Sequence, residues 1–449
     1  MASTAPQELR SRLQGLSAVE HVGKVVRAVG TSLRVSGLPV RIGQRCEITD
    51  RHTANRIHAE VVGIEQGDAI LVPLSSLKGV AVNSEVRVTN ESSSILVSEH
   101  LLGRILNGFA EPMDERSLPT VGVLMPLRGA APNPLKRLPV EQKLPTGIKA
   151  IDSLLTVGVG QRLGIFAPAG AGKSTLLGML AAHAQVDVIV VGLIGERGRE
   201  VREFLEHTLP TTAREKSVIV VATSDSAAME RIYAADTATA IAEGFRDMGK
   251  RVLLLMDSVT RYARALRELG LAVGEPPVRQ GFTPSVFAEL PRLFERSGNN
   301  DRGSITAFYT VLTDDDSGLD PISEETRSIL DGHIVLTRQL SERGHFPAVD
   351  VLASLSRLFP QLTSSKQQQQ AARVRALLAK YRDIEFLVQV GEYQAGSDVD
   401  ADAAIAQATA IEKLLQQEQH SGEGLDATTE ALALAAGLDQ PVQTEGDGQ

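Results

Sequence analysis

The segment RLGIFAPAGAGKSTLLGMLAAHA, residues Arg162–Ala184, is the strongest indication of the fold of this chain. Its first six residues are mostly apolar and predict a buried strand, and an apolar helix is predicted to begin near Lys173. The glycine-rich segment APAGAGKST lies between them. A strand, a glycine-rich turn and a helix in this order form the context of a phosphate-binding loop. The first position of that motif is usually Gly and is Ala167 here, which is a minor departure.

The residue types of this loop predict ATP binding together with Mg²⁺. Gly170 and Gly172 let the backbone amides curl around phosphates, and the helix N-terminus adds the positive end of its dipole. Lys173 is expected to reach the β- and γ-phosphates, and the Ser174 hydroxyl is expected to ligate Mg²⁺. The predicted nucleotide-binding residues of the loop are Ala169, Gly170, Ala171, Gly172, Lys173, Ser174 and Thr175.

Two carboxylates follow other apolar strands. The strand RVLLLMD ends in Asp257, where a carboxylate can hold the water shell of Mg²⁺. Such an aspartate often only caps a helix, but the phosphate-binding loop favours the metal role. Glu196 follows the strand VDVIVVGLI and can deprotonate an attacking water. It can equally be a solvated residue at a helix start, and spacing alone leaves both interpretations open.

Composition excludes several classes of protein. The chain of 449 residues has one cysteine, Cys46, so it cannot contain an intramolecular disulfide. It shows no signal peptide and no apolar run long enough to cross a bilayer, which predicts a cytoplasmic protein without a transmembrane segment. The formal net charge is -9, and seven acidic residues follow Lys413 without any Lys or Arg. This balance gives no basic surface for direct binding of nucleic acid.

Residues 21–98 contain short strands separated by turns and predict a small β-barrel. Gln66-Gly67-Asp68 lies where a hairpin is expected to close. The first aromatic residue of the chain is Phe109, so this barrel has no ring on which a base can stack. Residues 1–20 carry Leu9, Leu13 and Leu16 at helical spacing, which fits either a frayed terminus or a docking and oligomerisation segment.

The rest of the chain divides by pattern. In residues 99–363, a connector rich in Gly and Pro precedes apolar strands that alternate with helices, which predicts a parallel sheet covered on both faces. Residues 364–417 predict a helical C-terminal domain. Residues 418–449 are acidic and predict a disordered tail, apart from a short helix at 429–436, whose removal is expected to matter little. The predicted class is α/β, a P-loop sheet domain with an N-terminal barrel and C-terminal helices.

Several longer stretches resemble the catalytic subunits of the rotary ATPase superfamily. They are GRILNGFAEPMD, TGIKAIDSL, LIGERGREV and LLLMDSVTRYARA. Within that superfamily, GEPPVRQGFTPSVFAELPRLFERSG (Gly274–Gly298) is similar to the type III secretion ATPases and favours the virulence type over the flagellar type. The resemblance covers roughly residues 20 to 415 and implies a RecA-like nucleotide-binding domain in a homohexameric ring.

The resemblance also implies roles for individual residues. Glu196 is then the catalytic carboxylate, and Arg197 lies beside the phosphates. Arg357 matches the arginine finger that reaches into the site of the neighbouring subunit. Without the resemblance, Arg357 would be interpreted as a surface arginine. Phe346 matches the residue on which adenine stacks, although its apolar neighbours also allow a place in the core. Tyr393 is a weaker candidate for the same pocket.

The function implied is ATP hydrolysis that energises type III protein secretion by releasing or unfolding chaperone-bound substrates. The implied partners are a stator-like regulator at the N-terminus, a central stalk protein, chaperone–substrate complexes and the export gate at the inner membrane. One alternative is a hexameric RNA translocase, which the barrel without aromatic residues opposes. Another is a non-catalytic nucleotide-binding ring subunit, which the joint presence of Lys173, Glu196 and Arg357 opposes. Membership of an ATP synthase is a third.

Overall fold

A computed structural model describes residues 21–49, 56–89, 93–313 and 320–438. The docking segment predicted at residues 1–20 lies outside this range. The chain forms two compact units, one within Met1–Ser92 together with Glu268–Glu275, and one comprising Ser93–Arg267 and Pro276–Gln449. Among the described helices, none has both the length and the apolar character that crossing a membrane requires.

The first unit contains a closed antiparallel barrel. Its strands follow the order β1-β2-β5-β4-β3-β6, and β1 also pairs with β6. Gln66 and Gly67 have φ values of 54° and 89° between β4 and β5, so the predicted hairpin turn is confirmed. The Cys46 thiol is buried in the barrel core, and burial raises its pKa to about 11. The barrel strands are β1 (Val22–Val29), β2 (Ser32–Ser36), β3 (Arg45–Thr49), β4 (Arg56–Glu65), β5 (Asp68–Pro73) and β6 (Glu85–Val88).

Strand β7 (Ser94–Val97), which the sequence analysis assigned to the barrel domain, lies outside the barrel. It pairs with β9 (Val123–Pro126) in a separate two-stranded sheet. Strand β8 (Ile105–Asn107), in the predicted connector, joins the large sheet beside β12. The barrel boundary predicted at residue 98 is therefore wrong, because the alternation of apolar residues does not reveal which partner a strand has.

The second unit is built on one large sheet with the order β17-β16-β10-β15-β13-β11-β12-β8, and β14 pairs with β15. The neighbours run parallel, except that β17 and β14 are antiparallel to their partners. The strands are β10 (Arg162–Ala167), β11 (Val188–Glu196), β12 (Ser217–Thr223), β13 (Arg251–Asp257), β14 (Gly298–Asn299), β15 (Ser304–Leu312), β16 (Gly332–Val335) and β17 (Leu355–Ser356).

Helices cover both faces of this sheet, as the sequence predicts. Val191 and Leu193 belong to the same buried cluster as Leu177 of the helix that follows the glycine-rich loop. Gly192, between them, faces the opposite side, where a Cβ would lie 3.2 Å from that of Ala238. The helices are α1 (Lys149–Leu154), α2 (Lys173–His183), α3 (Gly198–Glu203), α4 (Thr211–Glu215), α5 (Ala228–Asp247), α6 (Val259–Ala272), α7 (Pro284–Phe294), α8 (Pro321–Ile329), α9 (Arg338–Glu342) and α10 (Phe359–Leu362).

Three further helices form the C-terminal part: α11 (Ser365–Gln389), α12 (Val399–Leu415) and α13 (Leu425–Ala436). Helix α13 confirms the short helix predicted at 429–436 and begins four residues earlier, within the segment predicted to be disordered. Leu432 and Ala435 are fully buried in the core that contains α11 and α12, whereas Asp426 and Glu430 are exposed. The acidic composition describes only the outer face of the helix, so this segment is part of the core and not a dispensable tail.

Candidate active site

The phosphate-binding loop connects β10 to α2 at the carboxyl edge of the parallel sheet. Gly170 and Gly172 have φ values of 82° and 83°, a left-handed conformation that favours glycine and allows the tight turn. Gly172 is the N-cap of α2, and Lys173 is its first residue. The loop amides therefore lie at the positive end of an eleven-residue helix.

Three predicted catalytic side chains meet beside this loop. The Lys173 Nζ donates to Asp257 Oδ1 over 2.5 Å and lies 3.5 Å from Glu196 Oε1. The Thr310 hydroxyl also donates to Asp257 Oδ1, at 2.7 Å. Asp257 and Glu196 end the neighbouring parallel strands β13 and β11, which brings their carboxylates to the same edge. The lysine thus lies between the two carboxylates.

Burial of this cluster changes its acid–base chemistry. Burial and the charge of Asp257 raise the pKa of Glu196 to about 7, and Lys173 opposes the rise. Burial disfavours the charged Lys173 ammonium, but Asp257 and Glu196 outweigh it, so the pKa of Lys173 is raised. A carboxylate with a pKa near neutrality is suited to accept a proton from water at physiological pH.

The raised pKa of Glu196 predicts how stability depends on pH. The folded protein retains a proton on Glu196 above the ordinary value of 4.5, so this residue's contribution to stability is lost as pH rises toward about 7. Urea unfolding of the nucleotide-free protein between about pH 5 and pH 8 measures the effect. Glu196→Gln should gain stability relative to the wild type as pH rises, and a pH-independent difference between them would contradict the shift.

Arg261 also belongs to this site and was not singled out by the sequence analysis. Its side chain packs behind Gly195, where a Cβ would lie 2.9 Å from the Arg261 Cβ. Its charge lowers the pKa of Glu196, and among the described residues its Nε has no hydrogen-bond partner. Arg261 lies in the first turn of α6. A cation is unfavourable there because it lies at the positive end of the helix dipole. Its position therefore indicates that a negatively charged partner stabilises it.

The Arg197 side chain does not contact the phosphate-binding loop in this structure. Arg197 is the N-cap of α3, directly after Glu196, and its side chain is 74% exposed. Its Nη1 lies 3.5 Å from Glu200 Oε1. Its role beside the phosphates stays a prediction.

Arg357 lies at the opposite edge of the sheet from the phosphate-binding loop. Its backbone N–H donates to the Asp331 carbonyl over 3.0 Å, and the Asp331 carboxylate accepts from the backbone N–H of Arg162, the first residue of β10. The loop leaves the other end of β10, six residues away and thus roughly 20 Å along the strand. The exposed Arg357 side chain donates instead to the Arg327 carbonyl, at 3.2 Å. Arg357 therefore does not reach the site of its own chain.

Phe346 lies next to the phosphate-binding loop. Its ring carbon Cε1 is 3.6 Å from the position that a Cβ would take on Gly172, and the side chain is 41% exposed. The ring borders a cleft of about 610 Å³. This exposure favours the base-stacking interpretation over a place in the core. The cleft is lined by Thr175, Gly344, Phe346, Gln416, Gln417, Glu418 and Gln419.

One prediction about this cleft needs correction. Tyr393 is not among its lining residues, and its hydroxyl donates to Asp402 Oδ1 over 2.9 Å in the turn between α11 and α12. Residues 416–419 do line the cleft, although the sequence analysis placed its last domain boundary inside them. Their polar composition carries no stacking ring and therefore no recognisable base-binding signal.

The residues at the site fit a bound Mg²⁺ ion. Ser174 is exposed in the first turn of α2, and Asp257 offers a carboxylate at the adjacent strand end. In the part of the chain that the structure describes, no group of three or more His, Cys, Asp or Glu could hold a metal ion. Mg²⁺ is commonly bound through one or two protein oxygens together with substrate phosphates and water. A hydroxyl and a carboxylate beside a phosphate-binding loop match that donor set.

Comparison with protein families gives two matches. Residues 147–356 match the nucleotide-binding domain of the ATP synthase alpha/beta family. Residues 363–433 match the T3SS EscN ATPase C-terminal domain, a range that includes most of helix α13.

Relatives and solved structures that match nearly the whole chain belong to the same group of ATPases. The chain is 50% identical to the type 3 secretion system ATPase of Xanthomonas euvesicatoria, over 94% of this chain and 96% of that protein. It is 44% identical to the flagellum-specific ATP synthase of Bacillus subtilis, over 97% and 99%. The assembled ATPase EscN of enteropathogenic E. coli superposes with a TM-score of 0.87 at 45% identity, covering 92% of this chain and 100% of that chain.

A second structure shows the assembled EscN in complex with its central stalk EscO. This chain matches it with a TM-score of 0.84 at 45% identity, and the match covers 92% of this chain and 100% of that chain. These likenesses extend over the barrel, the sheet domain and the C-terminal helices. Together with the cluster of Lys173, Glu196 and Asp257, they show that the chain is an ATPase and belongs to the family of type III secretion ATPases.

Proposed function

We propose that this protein hydrolyses ATP with Mg²⁺ at sites shared between neighbouring subunits of a homohexameric ring, and that hydrolysis drives protein export. The position of Arg357 carries the proposal. The chain assembles Lys173, Glu196 and Asp257 at one edge of its sheet and presents Arg357 at the other. Only a second subunit can bring an Arg357 to this site.

Each residue then has a distinct role in hydrolysis. Lys173 exchanges its carboxylate partners for the β- and γ-phosphates, and this exchange leaves Glu196 free to accept a proton from the attacking water. Ser174 and Asp257 hold Mg²⁺, which neutralises phosphate charge when bound. Arg197 and Arg261 bind the γ-phosphate.

The remaining contacts involve the base and the neighbouring subunit. Phe346 stacks on adenine in the cleft of about 610 Å³. Arg357 of the neighbouring subunit stabilises charge on the transferring phosphoryl group.

We further propose the partners of the ring. The structure of the assembled EscN in complex with its central stalk EscO supports a ring that surrounds a stalk protein. Residues 1–20 bind a stator-like regulator, and the ring receives chaperone–substrate complexes that it releases or unfolds. It works in the cytoplasm at the inner membrane, next to the export gate, which it reaches through these partners.

The virulence type of secretion system is favoured over the flagellar type by PVRQGFTPSVF, residues 277–287. An RNA translocase is disfavoured because residues 21–98 contain no Phe, Tyr or Trp. A non-catalytic ring subunit is disfavoured because a buried carboxylate, Glu196, lies next to Lys173.

Steady-state phosphate release, measured across protein concentrations together with particle size, tests the shared site. Specific activity should rise with concentration as rings form, because a monomer lacks the arginine finger. Lys173→Ala, which removes the main cation facing the phosphates, is the control for contaminating ATPase and should show no turnover. A monomer with full activity that does not depend on concentration would refute the shared site.

A further inference from the structure

Gln417 connects three segments around the base-binding cleft. Its backbone N–H donates to the Phe346 carbonyl over 2.9 Å. Its side-chain Oε1 accepts from the Lys149 N–H at 2.8 Å, and its Nε2 donates to the carbonyls of Gly147 at 2.7 Å and Ser421 at 2.5 Å. The residue is 8% exposed, so these bonds are shielded from water. One glutamine thus joins the loop before α1, the Phe346 segment and the turn after α12.

The neighbours of Gln417 line the same cleft as Phe346. Gln416, Glu418 and Gln419 line it together with Gln417. The Gln416 side chain is itself held, because its Nε2 donates to Glu412 Oε1 at 3.0 Å. The hydrogen bonds of Gln417 therefore hold this part of the cleft lining against the Phe346 backbone and against the loop before α1. The phosphate-binding loop has a separate anchor, because it is continuous with β10 and α2.

We propose that Gln417 is a positioning residue for the adenine base. Its side chain holds residues 416–419 in the place where they line the cleft beside Phe346, while the phosphates bind independently of it. The inference rests on the proposed stacking of adenine on Phe346. Loss of the Gln417 hydrogen bonds should therefore weaken binding of the base and leave binding of the phosphates and the chemical step unchanged.

Gln417→Met in the full-length protein tests this, because methionine keeps the length of the side chain and the backbone bond to Phe346 but removes the side-chain bonds to Gly147, Lys149 and Ser421. The KM for ATP should rise about tenfold, equivalent to about 1.4 kcal/mol, with kcat within about twofold of the wild type. Inorganic tripolyphosphate, which lacks a base, should inhibit the variant and the wild type equally. A general loss of structure would instead weaken both ligands together.

Gln367→Met is the matched control. Gln367 is 7% exposed, and its Nε2 donates to the Asp152 and Ser153 carbonyls and to the Thr156 hydroxyl, away from the cleft. This variant loses a similar set of buried hydrogen bonds and should leave the KM for ATP and the inhibition by tripolyphosphate unchanged. If Gln417→Met does not fold, Gln417→Glu keeps the acceptor for the Lys149 N–H and should show the same selective rise in KM.

Phe346→Ala separates this inference from the proposed function. A raised KM for Phe346→Ala with an unchanged KM for Gln417→Met would overturn the positioning role and leave the adenine site in place. An unchanged KM for Phe346→Ala would refute the adenine site itself. Equal losses of ATP and tripolyphosphate binding in Gln417→Met would also overturn the positioning role.

Discussion

Replacement of Arg357 by alanine should lower the rate of ATP hydrolysis by about 10³–10⁵-fold, because the transferring phosphoryl group loses its arginine finger. The variant should still fold, bind nucleotide and form rings. The Arg357 side chain is exposed and donates a hydrogen bond to the Arg327 carbonyl. Its loss therefore removes little from the core. Phosphate release, nucleotide binding and particle size measure the three properties. Arg292→Ala removes another exposed arginine, paired with Glu289, and should keep wild-type activity.

Mixing Arg357→Ala with Glu196→Gln gives the sharper form of this experiment. Each variant alone is nearly inactive, but a mixed ring contains interfaces that pair an intact Glu196 with an intact neighbouring Arg357. Activity should partly return on mixing once subunits have exchanged. If size measurements confirm mixed rings and no activity returns, then either Arg357 does not act across the interface or the ring requires every site to fire in sequence.

Replacement of Glu196 by glutamine should lower hydrolysis by about 10²–10⁴-fold, because glutamine keeps the shape of the side chain and cannot accept the proton of the attacking water. ATP binding should persist, since Lys173 and the phosphate-binding loop are intact. Removing one of the two carboxylates beside Lys173 also frees the lysine for the phosphates. Phosphate release and the binding of a fluorescent ATP analogue distinguish the two properties.

Glu206→Gln provides the control for this variant. Glu206 follows Glu196 by ten residues, its side chain is 47% exposed, and it pairs with Arg202. This change removes a nearby charge without removing the base, so most of the activity should remain. A Glu196→Gln variant that keeps most of its activity would place the catalytic base on another residue.

The local chemistry of the site could be predicted from the sequence because its parts are contiguous. The strand before Ala167, the two glycines and the helix after Lys173 form one uninterrupted segment, and its conformation depends on local backbone preferences. The alternation of apolar strands with helices likewise predicted a parallel sheet with both faces covered, because only burial on both faces stabilises strands that are apolar throughout.

Other features could not be predicted from short sequence patterns, because they depend on which distant segments pack together. A helix at 429–436 was predicted from the sequence, but its packing was not: Leu432 is buried against α11 and α12, and this packing stabilises a helix that is marginal alone. Gln417 and its neighbours carry no motif, and only their hydrogen bonds to Lys149 and Gly147 bring them to the Phe346 cleft.

Local sequence was sufficient to predict the phosphate-binding loop, the sheet class and the residue types available for catalysis. The packing of distant segments was needed to place the Lys173 Nζ 2.5 Å from Asp257 Oδ1, 84 residues away. The same packing buries Glu196, which raises its pKa to about 7, and puts Arg357 at the far edge of the sheet. The strand order β10-β15-β13-β11 sets these relations. Strand order depends on the free energy of packing whole faces of the sheet and its helices, which no short segment contains.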